Sequence, residues 1–415
     1  MLMKINKSNF YRILFIVVLL SQIYLPSFKA NVFFQIFVFC IYIYLEKISF
    51  TLSFLKAIFP LLLLFLIGFL GFIVFENPIG FVLKDIFHFI KPIQALLIGY
   101  FFFKTINDVK LFYKTIVITA FISAIIHILI IVFLVDFSRG TIHAIRDFTK
   151  DNFLEMIAIF LLHYYKIYYK QDLFDSKKNY NLIFIVILIS CILYFSRTMM
   201  VGAVVIYFSM KGYTKITQTS IKIISFSIIA VMLLYVYLFS IIIHRNAKGL
   251  DSFLYKIKNA PTELFKSKID RENHEQLWDH WRGYEVNRAF ALMQEKPVSY
   301  VTGTGYGSLV NLKFKAPLTS EKEKGMKFIS ELHNGYMYVF YKTGILGLLF
   351  YLFMIIQFYR RIYKSNSLES VSISALGIFY LFTSFAITGL YNASDTTVFI
   401  LGAFLFLETQ KNRLN

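Results

Sequence analysis

Long apolar runs joined by short basic connectors constrain this chain more than any other feature. A helix needs roughly 20 apolar residues to cross the hydrocarbon core of a membrane, and runs of about that length recur along the 415 residues. The composition agrees, since 58% of the residues are hydrophobic, 16% are charged and the mean hydropathy is +0.63. Soluble domains are less apolar than this. The sequence therefore predicts an all-α, polytopic transmembrane helical bundle.

About twelve membrane spans are expected, and they divide the chain into three parts. The predicted spans are residues 9–27, 31–46, 52–75, 83–103, 111–135, 152–169, 181–196, 198–210, 221–243, 334–359, 371–390 and 394–409. Residues 1–243 would hold the first nine spans, residues 244–333 one large helical loop, and residues 334–415 the last three spans.

The basic residues of the short connectors predict the orientation of the bundle. The connectors after spans two, four, six, eight and ten contain lysine or arginine, for example Lys47, Lys104 and Arg360. Because cytoplasmic loops are enriched in these residues, both termini are expected in the cytoplasm and residues 244–333 on the outer face. The formal charge of +19 then reflects contact with anionic membrane lipids, and no nucleic-acid partner is expected.

Metal, redox and nucleotide chemistry have little support in the sequence. Cys40 and Cys191 lie inside apolar runs, so neither a disulfide framework nor a thiolate metal site is indicated. The chain has no Asp-x-Asp pair and no His-Glu-x-x-His motif. The glycine-rich run 303–307 lacks the lysine and the strand context of nucleotide loops, which favours a flexible turn. We therefore expect no metal and no cofactor.

Arg197 stands between two apolar runs with almost no connector. An unpaired guanidinium there would be costly, so it must face water or a partner. It could reach the headgroups or pair with an acid such as Asp395. Alternatively it could bind phosphate oxygens, which its planar fork suits.

A helix is predicted within the large loop over about residues 272–295. Arg282 lies three residues from both Asp279 and Glu285, so an ordinary intrahelical ion pair would explain it. Arg288 lies on the same stretch. An apolar stripe is expected from Leu277, Trp281 and Tyr284.

His333 is placed where the large loop re-enters the membrane, followed by Asn334 and Tyr336. A titratable group at that boundary can reach a hydroxyl of a water-soluble sugar while its neighbours hold a lipid-anchored substrate. The competing interpretation is a histidine that caps a helix or bonds to a neighbour.

Further cations are expected at the outer face. Lys84, His88 and Lys91 would share one face of the fourth span, and Arg139 and Arg146 lie between spans five and six. Together they could form a basic rim that lines a path for glycan or headgroup. Ordinary interfacial anchoring explains any one of them equally well.

Three motifs in order resemble the O-antigen ligase and O-antigen polymerase (Wzy/WaaL-like) family of bacterial inner-membrane proteins. They are the pair Ser196-Arg197; Arg282 followed by Pro297 and Gly303-Thr304-Gly305; and His333-Asn334 followed by Gly344-Ile345-Leu346-Gly347. The likeness covers about residues 146–353, and the earlier spans match only in hydropathy.

The resemblance implies glycan transfer on the outer face of the inner membrane from an undecaprenyl-pyrophosphate-linked oligosaccharide. Arg197 and Arg282 would hold the pyrophosphate, and His333 would orient or deprotonate the acceptor hydroxyl. Arg288, Asn334, Tyr336 and the basic rim are expected to bind substrate. The reaction would need neither metal nor nucleotide.

Three functions remain open at this point. A polymerase would join lipid-linked repeat units into O-antigen or capsular polysaccharide, with a chain-length regulator as a possible partner. A ligase would move finished glycan to lipid A core. A flippase for lipid-linked sugars is the third alternative, although the paired halves expected of a transporter are not evident. The run from His333 to Gly347 favours the polymerase.

Overall fold

The structure, a computed structural model, describes residues 6–136, 145, 148–245, 250–265, 269–270, 273–316 and 325–414. Before the large loop the helices are α1 (Lys7–Tyr24), α2 (Phe28–Leu45), α3 (Leu52–Phe75), α4 (Ile79–Ile106), α5 (Val109–Leu134), α6 (Phe153–Tyr169), α7 (Lys177–Leu193), α8 (Arg197–Met210) and α9 (Gln218–Ser240). The loop contains α10 (Leu250–Phe265), α11 (His274–Asp279), α12 (Trp281–Gln294), α13 (Ser299–Thr302) and strands β1 (Val310–Ala316) and β2 (Met326–Ile329). The last helices are α14 (Gly335–Tyr359), α15 (Leu368–Ala386) and α16 (Thr397–Leu414).

Each of the twelve predicted spans overlaps one helix. Seven of the described helices are long and apolar enough to cross a membrane, namely α2, α3, α4, α5, α9, α14 and α15. Two shorter apolar helices are α8 and residues 397–410 of α16. The predicted fold class is confirmed, and the chain is a multi-pass membrane protein.

Helix starts follow from capping side chains in the sequence. Thr51, Asp108, Ser196 and Asn334 each precede a helix and accept a hydrogen bond from a backbone N–H three residues later. This satisfies one of the N–H groups that the first turn leaves unpaired. A lipid environment cannot supply those partners, so the polar residue at each boundary determines where the helix begins.

The centre of the bundle is the contact between α4 and α16. A Cβ atom on Gly99 would lie 2.0 Å from the Phe399 carbonyl oxygen, and one on Gly402 would lie 2.2 Å from that of Leu96. Only glycine leaves room for this approach, which small residues commonly allow between membrane helices. Helix α4 is thereby largely buried, and Lys91 in its first half donates hydrogen bonds to the segment that precedes α16.

The large loop contains an antiparallel strand pair that the sequence analysis did not predict. Val310 pairs with Ile329 and Asn311 with Phe328. Helix α12 packs on this pair, since the rings of Trp281 and Tyr284 contact Phe314. The other described elements of the loop are helices, as expected, and its buried apolar residues belong to the same hydrophobic core as the membrane helices.

The glycine-rich run 303–307 is a turn, as predicted, but it is buried between α3 and α14. Thr304 donates its backbone N–H to the carbonyl of Tyr341 at 2.7 Å. The Tyr306 ring covers Gly68 and its hydroxyl donates to the Phe65 carbonyl at 2.8 Å. The predicted turn is present, but the prediction that it is flexible was wrong, because these contacts fix it to α3 and α14.

A buried ion pair between Lys342 and Asp85 joins α14 to α4 at the same place. Asp85 also accepts the backbone N–H of Gly307 at 2.7 Å and the hydroxyl of Ser330. A carboxylate with one cation and two further donors is the arrangement that makes a buried charge tolerable. The glycine turn, the end of β2 and two spanning helices are therefore held around one side chain.

Candidate functional site

Arg197 is the first residue of α8, and Ser196 caps that helix. Its Nη1 donates to the carbonyl oxygen of Lys256, and its Nη2 lies 3.5 Å from Oε2 of Glu263. Both partners belong to α10 of the large loop. Asp395, the partner considered from the sequence, is bonded by Tyr380 and Thr397 instead.

Arg282 lies in the first turn of α12, and its Nη1 is 3.0 Å from Oε1 of the same Glu263. The ion pair within its own helix, which the sequence favoured, is replaced by this contact with α10. The predicted apolar stripe is confirmed, since Leu277, Trp281 and Tyr284 are all buried. The stripe spans α11 and α12, because the single helix predicted over residues 272–295 is broken at His280. Its burial turns the opposite side of α12, with Arg282, toward α8 and α10.

A cavity of about 310 Å³ lies between these elements. Arg197, Glu263 and Arg282 line it together with Ile387, which precedes the last helix of the bundle. The lining holds three cations, Arg197, Lys256 and Arg282, and three carboxylates, Asp151, Glu263 and Asp279, so its formal charges balance. Because Arg binds phosphate oxygens with a planar set of donors, the two guanidinium groups could bind an anion with several oxygens if it replaced Glu263 between them.

His333 is held by Glu285, which lies on the turn of α12 after Arg282. The Nδ1 of His333 is 3.0 Å from both Glu285 carboxylate oxygens, and its backbone N–H donates to Oε2 at 2.9 Å. Glu285 is buried, whereas the His333 side chain is 54% exposed. A carboxylate acceptor places the proton of a neutral imidazole on Nδ1, so Nε2 is left as an exposed base.

The hydrogen bond that the His333 imidazole donates to Glu285 raises the pKa of His333, although burial opposes the change. Charges at the cavity also act on that imidazole, Arg282 lowering its pKa and Glu263 raising it. In addition, the backbone N–H of Gly335 donates to the carbonyl of Ile387 at 3.0 Å. The histidine and the cavity with the two arginines therefore form one electrostatically connected site.

Residues 182–352 match the family model described as O-antigen ligase (Wzy_C). This segment is similar to O-antigen ligases. It contains Arg197, Arg282 and His333, and the predicted resemblance is thereby confirmed, although the matched segment begins later than the expected residue 146. Members of this family are membrane glycosyltransferase-type enzymes, and the match supports a lipid-linked glycan as the substrate class. No curated protein matches the chain.

Of the three described members of the predicted basic rim, His88 and Lys91 are buried and Lys84 is partly exposed. Lys84 and His88 both contact Oε1 of Glu331, at 3.1 and 2.9 Å, and the His88 ring stacks on Phe28. Burial alone would raise the pKa of Glu331, but its hydrogen bonds and charge interactions with His88 and Lys84 lower it to about 2. The prediction that His88 faces outward is wrong, because its side chain is buried. Its contact with Glu331 anchors the segment that leads into His333.

Lys91 is also buried, and its Nζ donates to the carbonyls of Asn392 at 3.0 Å and Ala393 at 2.5 Å. It therefore does not face outward either, and it holds the segment between α15 and α16. Arg139 and Arg146, the remaining members of the predicted rim, lie outside the described residues.

The other predicted residues of the matched segment hold backbone in place. Asn334 caps α14 by accepting the N–H of Met337 at 2.9 Å. The Tyr336 hydroxyl donates to the Leu381 carbonyl at 2.6 Å, and Nε of Arg288 donates to the Asn311 carbonyl at 2.8 Å. These contacts position the helices around the site.

Sequence reasoning missed two acidic residues of the matched segment. Glu263 was not singled out, and Glu285 was considered only as a partner of Arg282. Nothing in the local pattern around Glu263 marks it, because its partners come from α8 and α12. For Glu285, the spacing of one helical turn from Arg282 was a signal, but the position of His333 was needed to interpret it.

Proposed function

We propose that this protein is a polymerase of O-antigen or capsular polysaccharide. It joins oligosaccharide repeat units linked to undecaprenyl pyrophosphate, at the outer face of the bacterial inner membrane and without a metal. The observation that carries the proposal is the convergence of Arg197 and Arg282 on one cavity whose neighbour is the exposed imidazole of His333. Both termini would lie in the cytoplasm, with residues 244–333 outside as the cap over spans in 1–243 and 334–415.

In the proposed reaction, a hydroxyl oxygen of the acceptor sugar attacks the anomeric carbon of the donor. The bond from that carbon to the pyrophosphate oxygen breaks, and undecaprenyl pyrophosphate leaves with the electron pair. Nε2 of His333 accepts the hydroxyl proton. General-base assistance of this kind is worth typically about 10²–10⁴-fold in rate.

Arg197 and Arg282 would stabilise the charge that develops on the departing pyrophosphate. Fixed cations at a boundary of low dielectric constant do this without reorganising during the reaction. Glu263 now contacts both guanidinium groups, so the donor phosphates must displace its carboxylate. A substrate with a smaller negative charge would compete poorly for this position.

The second candidate is an O-antigen ligase, which transfers lipid-linked glycan to lipid A core. The description of the matched family favours it. The polymerase is preferred because the sequence from His333 to Gly347 looks more like polymerases. The two enzymes share the same donor and differ in the acceptor.

The deciding experiment is a reaction of the purified protein with a lipid-linked repeat unit, without metal or nucleotide, in parallel with and without lipid A core. We expect a ladder of products from the repeat unit alone. Product that forms only with lipid A core would establish the ligase and overturn the proposal. His333→Ala and Arg282→Ala should each abolish the ladder while expression is unchanged.

The flippase alternative is tested with the same Arg282→Ala protein reconstituted in vesicles. A transferase should lose glycan transfer, whereas a flippase would show no transfer in the wild type either and would move the lipid-linked sugar across the bilayer. A chain-length regulator as a partner of the polymerase remains part of the proposal and would alter the length distribution of the ladder.

A further inference from the structure

A second cavity, of about 240 Å³, lies at the opposite end of α14 from His333. Its lining contains Ser53 and Lys56 of α3, Gln357 near the end of α14, and the basic residues Arg360, Arg361 and Lys364 that follow. Helix α14 has 25 residues and is broken at Gly344, where φ is 65° and ψ is -169°, and the cavity lies beside its last turn whereas His333 precedes its first. It is distinct from the site of glycan transfer.

The second cavity has an excess of positive charge. Arg361 forms an ion pair with Glu408, but within the described residues no carboxylate lies within ion-pair distance of Lys56, Arg360 or Lys364. Burial and the charges of Arg361, Arg360 and Lys56 lower the pKa of Lys364, although Glu408 opposes this. Cations that are close enough to perturb one another would be stabilised by an added anion.

The remaining lining suits a phosphate group. The Ser53 hydroxyl and the Gln357 amide can donate hydrogen bonds to phosphate oxygens. Ser53 also lies in the first turn of α3, where the helix dipole and unpaired N–H groups favour an anion. Both the positive charge and the hydrogen-bond donors of this cavity therefore favour a phosphate group as its ligand.

Apolar faces run from this cavity along both helices. On α3, the exposed residues Leu52, Leu55 and Phe59 are spaced around Lys56 at helical intervals. On α14, Phe353 and Ile356 are exposed and precede Arg360 by about two turns and one turn, respectively. A free phosphate ion would make no use of these faces, whereas acyl chains would lie along them.

We propose that this cavity binds the headgroup of an anionic phospholipid, with the acyl chains lying along the exposed faces of α3 and α14. Basic pockets between spanning helices are a general means of binding such headgroups. The bound phospholipid would lie in the membrane leaflet on the side away from His333. In the proposed orientation this is the cytoplasmic leaflet. The inference does not depend on which glycan the enzyme transfers.

The test is native mass spectrometry of the full-length protein, delipidated in a non-ionic detergent. It is titrated separately with phosphatidylglycerol, phosphatidylcholine and inorganic phosphate. We expect saturable binding of one phosphatidylglycerol, at least tenfold tighter than phosphatidylcholine, and weaker binding of inorganic phosphate. Equal affinity for the two lipids would overturn the proposal, and so would phosphate that binds as tightly as phosphatidylglycerol.

Two double variants locate the site. Lys56→Gln/Arg360→Gln should weaken binding of phosphatidylglycerol about 30-fold, from the usual contribution of each cation near a lipid surface. Lys177→Gln/Lys178→Gln removes the same charge from exposed positions at the start of α7 and should change it less than twofold. An unchanged affinity in the first variant, or an equal loss in both, would contradict a site in this cavity.

Discussion

Arg197 and Arg282 are held together by one carboxylate. Oε2 of Glu263 lies 3.5 Å from Nη2 of Arg197, and Oε1 lies 3.0 Å from Nη1 of Arg282. The acid keeps two like charges close in the absence of substrate and occupies the position where phosphate oxygens would bind. Its removal should therefore reveal whether it competes with the donor.

We expect Glu263→Gln to lower the KM for the lipid-linked donor by roughly two- to fivefold, because a partly exposed ion pair is worth up to about 1 kcal/mol. Initial rates at varied donor concentration measure this. Asp251→Asn removes an exposed charge from the same helix and should leave KM unchanged. A higher KM in the Glu263 variant would mean that the carboxylate helps to bind the donor.

The pairing of His333 with Glu285 predicts a pH dependence. Because the hydrogen bond raises the pKa of His333, the neutral imidazole needed for a general base forms only above the ordinary value of about 6.5. The acid limb of kcat should therefore have its midpoint above that value. A pH profile of kcat with saturating donor and acceptor measures it.

Glu285→Gln should move this acid limb to lower pH, since the carboxylate that stabilises the imidazolium is gone. The plateau should also fall about tenfold or more, because the tautomer with a free Nε2 is no longer enforced. Glu295→Gln, an exposed position at the end of α12, is the matched control. A lower plateau with an unmoved limb would refute the assignment of the limb to His333.

Gly305 should be far more sensitive to a methyl group than Gly212. Both have φ near +80°, at +79° and +77°, so alanine strains the backbone by roughly 1–2 kcal/mol at either position. At Gly305, however, the added Cβ would lie 2.1 Å from the backbone nitrogen of Phe72, whereas at Gly212 nothing lies within 4 Å.

We therefore expect Gly305→Ala to lower the thermal unfolding temperature in detergent by several degrees more than Gly212→Ala. The turn that carries Gly305 would separate from α3, and activity should fall with it. Equal effects of the two substitutions would show that only backbone strain matters and that the turn is not tightly packed.

The buried pair of Asp85 and Lys342 predicts a large loss of stability on breaking it. Asp85→Ala leaves the ammonium unpaired within the bundle, which costs about 3–5 kcal/mol. Thermal unfolding in detergent, read by intrinsic fluorescence, measures the change. The double variant Asp85→Asn/Lys342→Met, which removes both charges, should recover most of it.

Lys84→Ala is the contrasting control, because its ion pair with Glu331 is partly exposed on both sides. Such pairs are worth about 0–1 kcal/mol, so the unfolding temperature should change little. A loss as large as that of Asp85→Ala would mean that the segment before His333 depends on Lys84 for its fold.

Much of the helical architecture could be predicted because the apolar runs and their capping residues are local signals. The span predicted at 52–75 coincides with α3, where Thr51 caps the start and Glu76 adopts a left-handed conformation at the end. The strand pair was missed although Val310–Ala316 alternates between apolar and polar residues, the pattern of a half-buried strand. Its partner has only four residues, Met326–Ile329, which are too few to show a pattern.

The predicted basic rim shows that the position of a basic residue near a membrane boundary does not determine whether its side chain faces water. Lys84, His88 and Lys91 do follow one another along α4, as their spacing predicts. Whether each faces water depends on what packs over it, and Phe28, Glu331 and the carbonyl of Asn392 come from three other parts of the chain.

The sequence by itself predicted the membrane helices and singled out Arg197, Arg282 and His333. In lipid, each helix must satisfy its own backbone hydrogen bonds, so apolar length and caps are sufficient information. Only the tertiary structure decided that Glu263 bridges Arg197 and Arg282 and that Glu285 orients His333. Ion pairs form between side chains that the loop brings within a few ångströms, and no local pattern records the path of that loop.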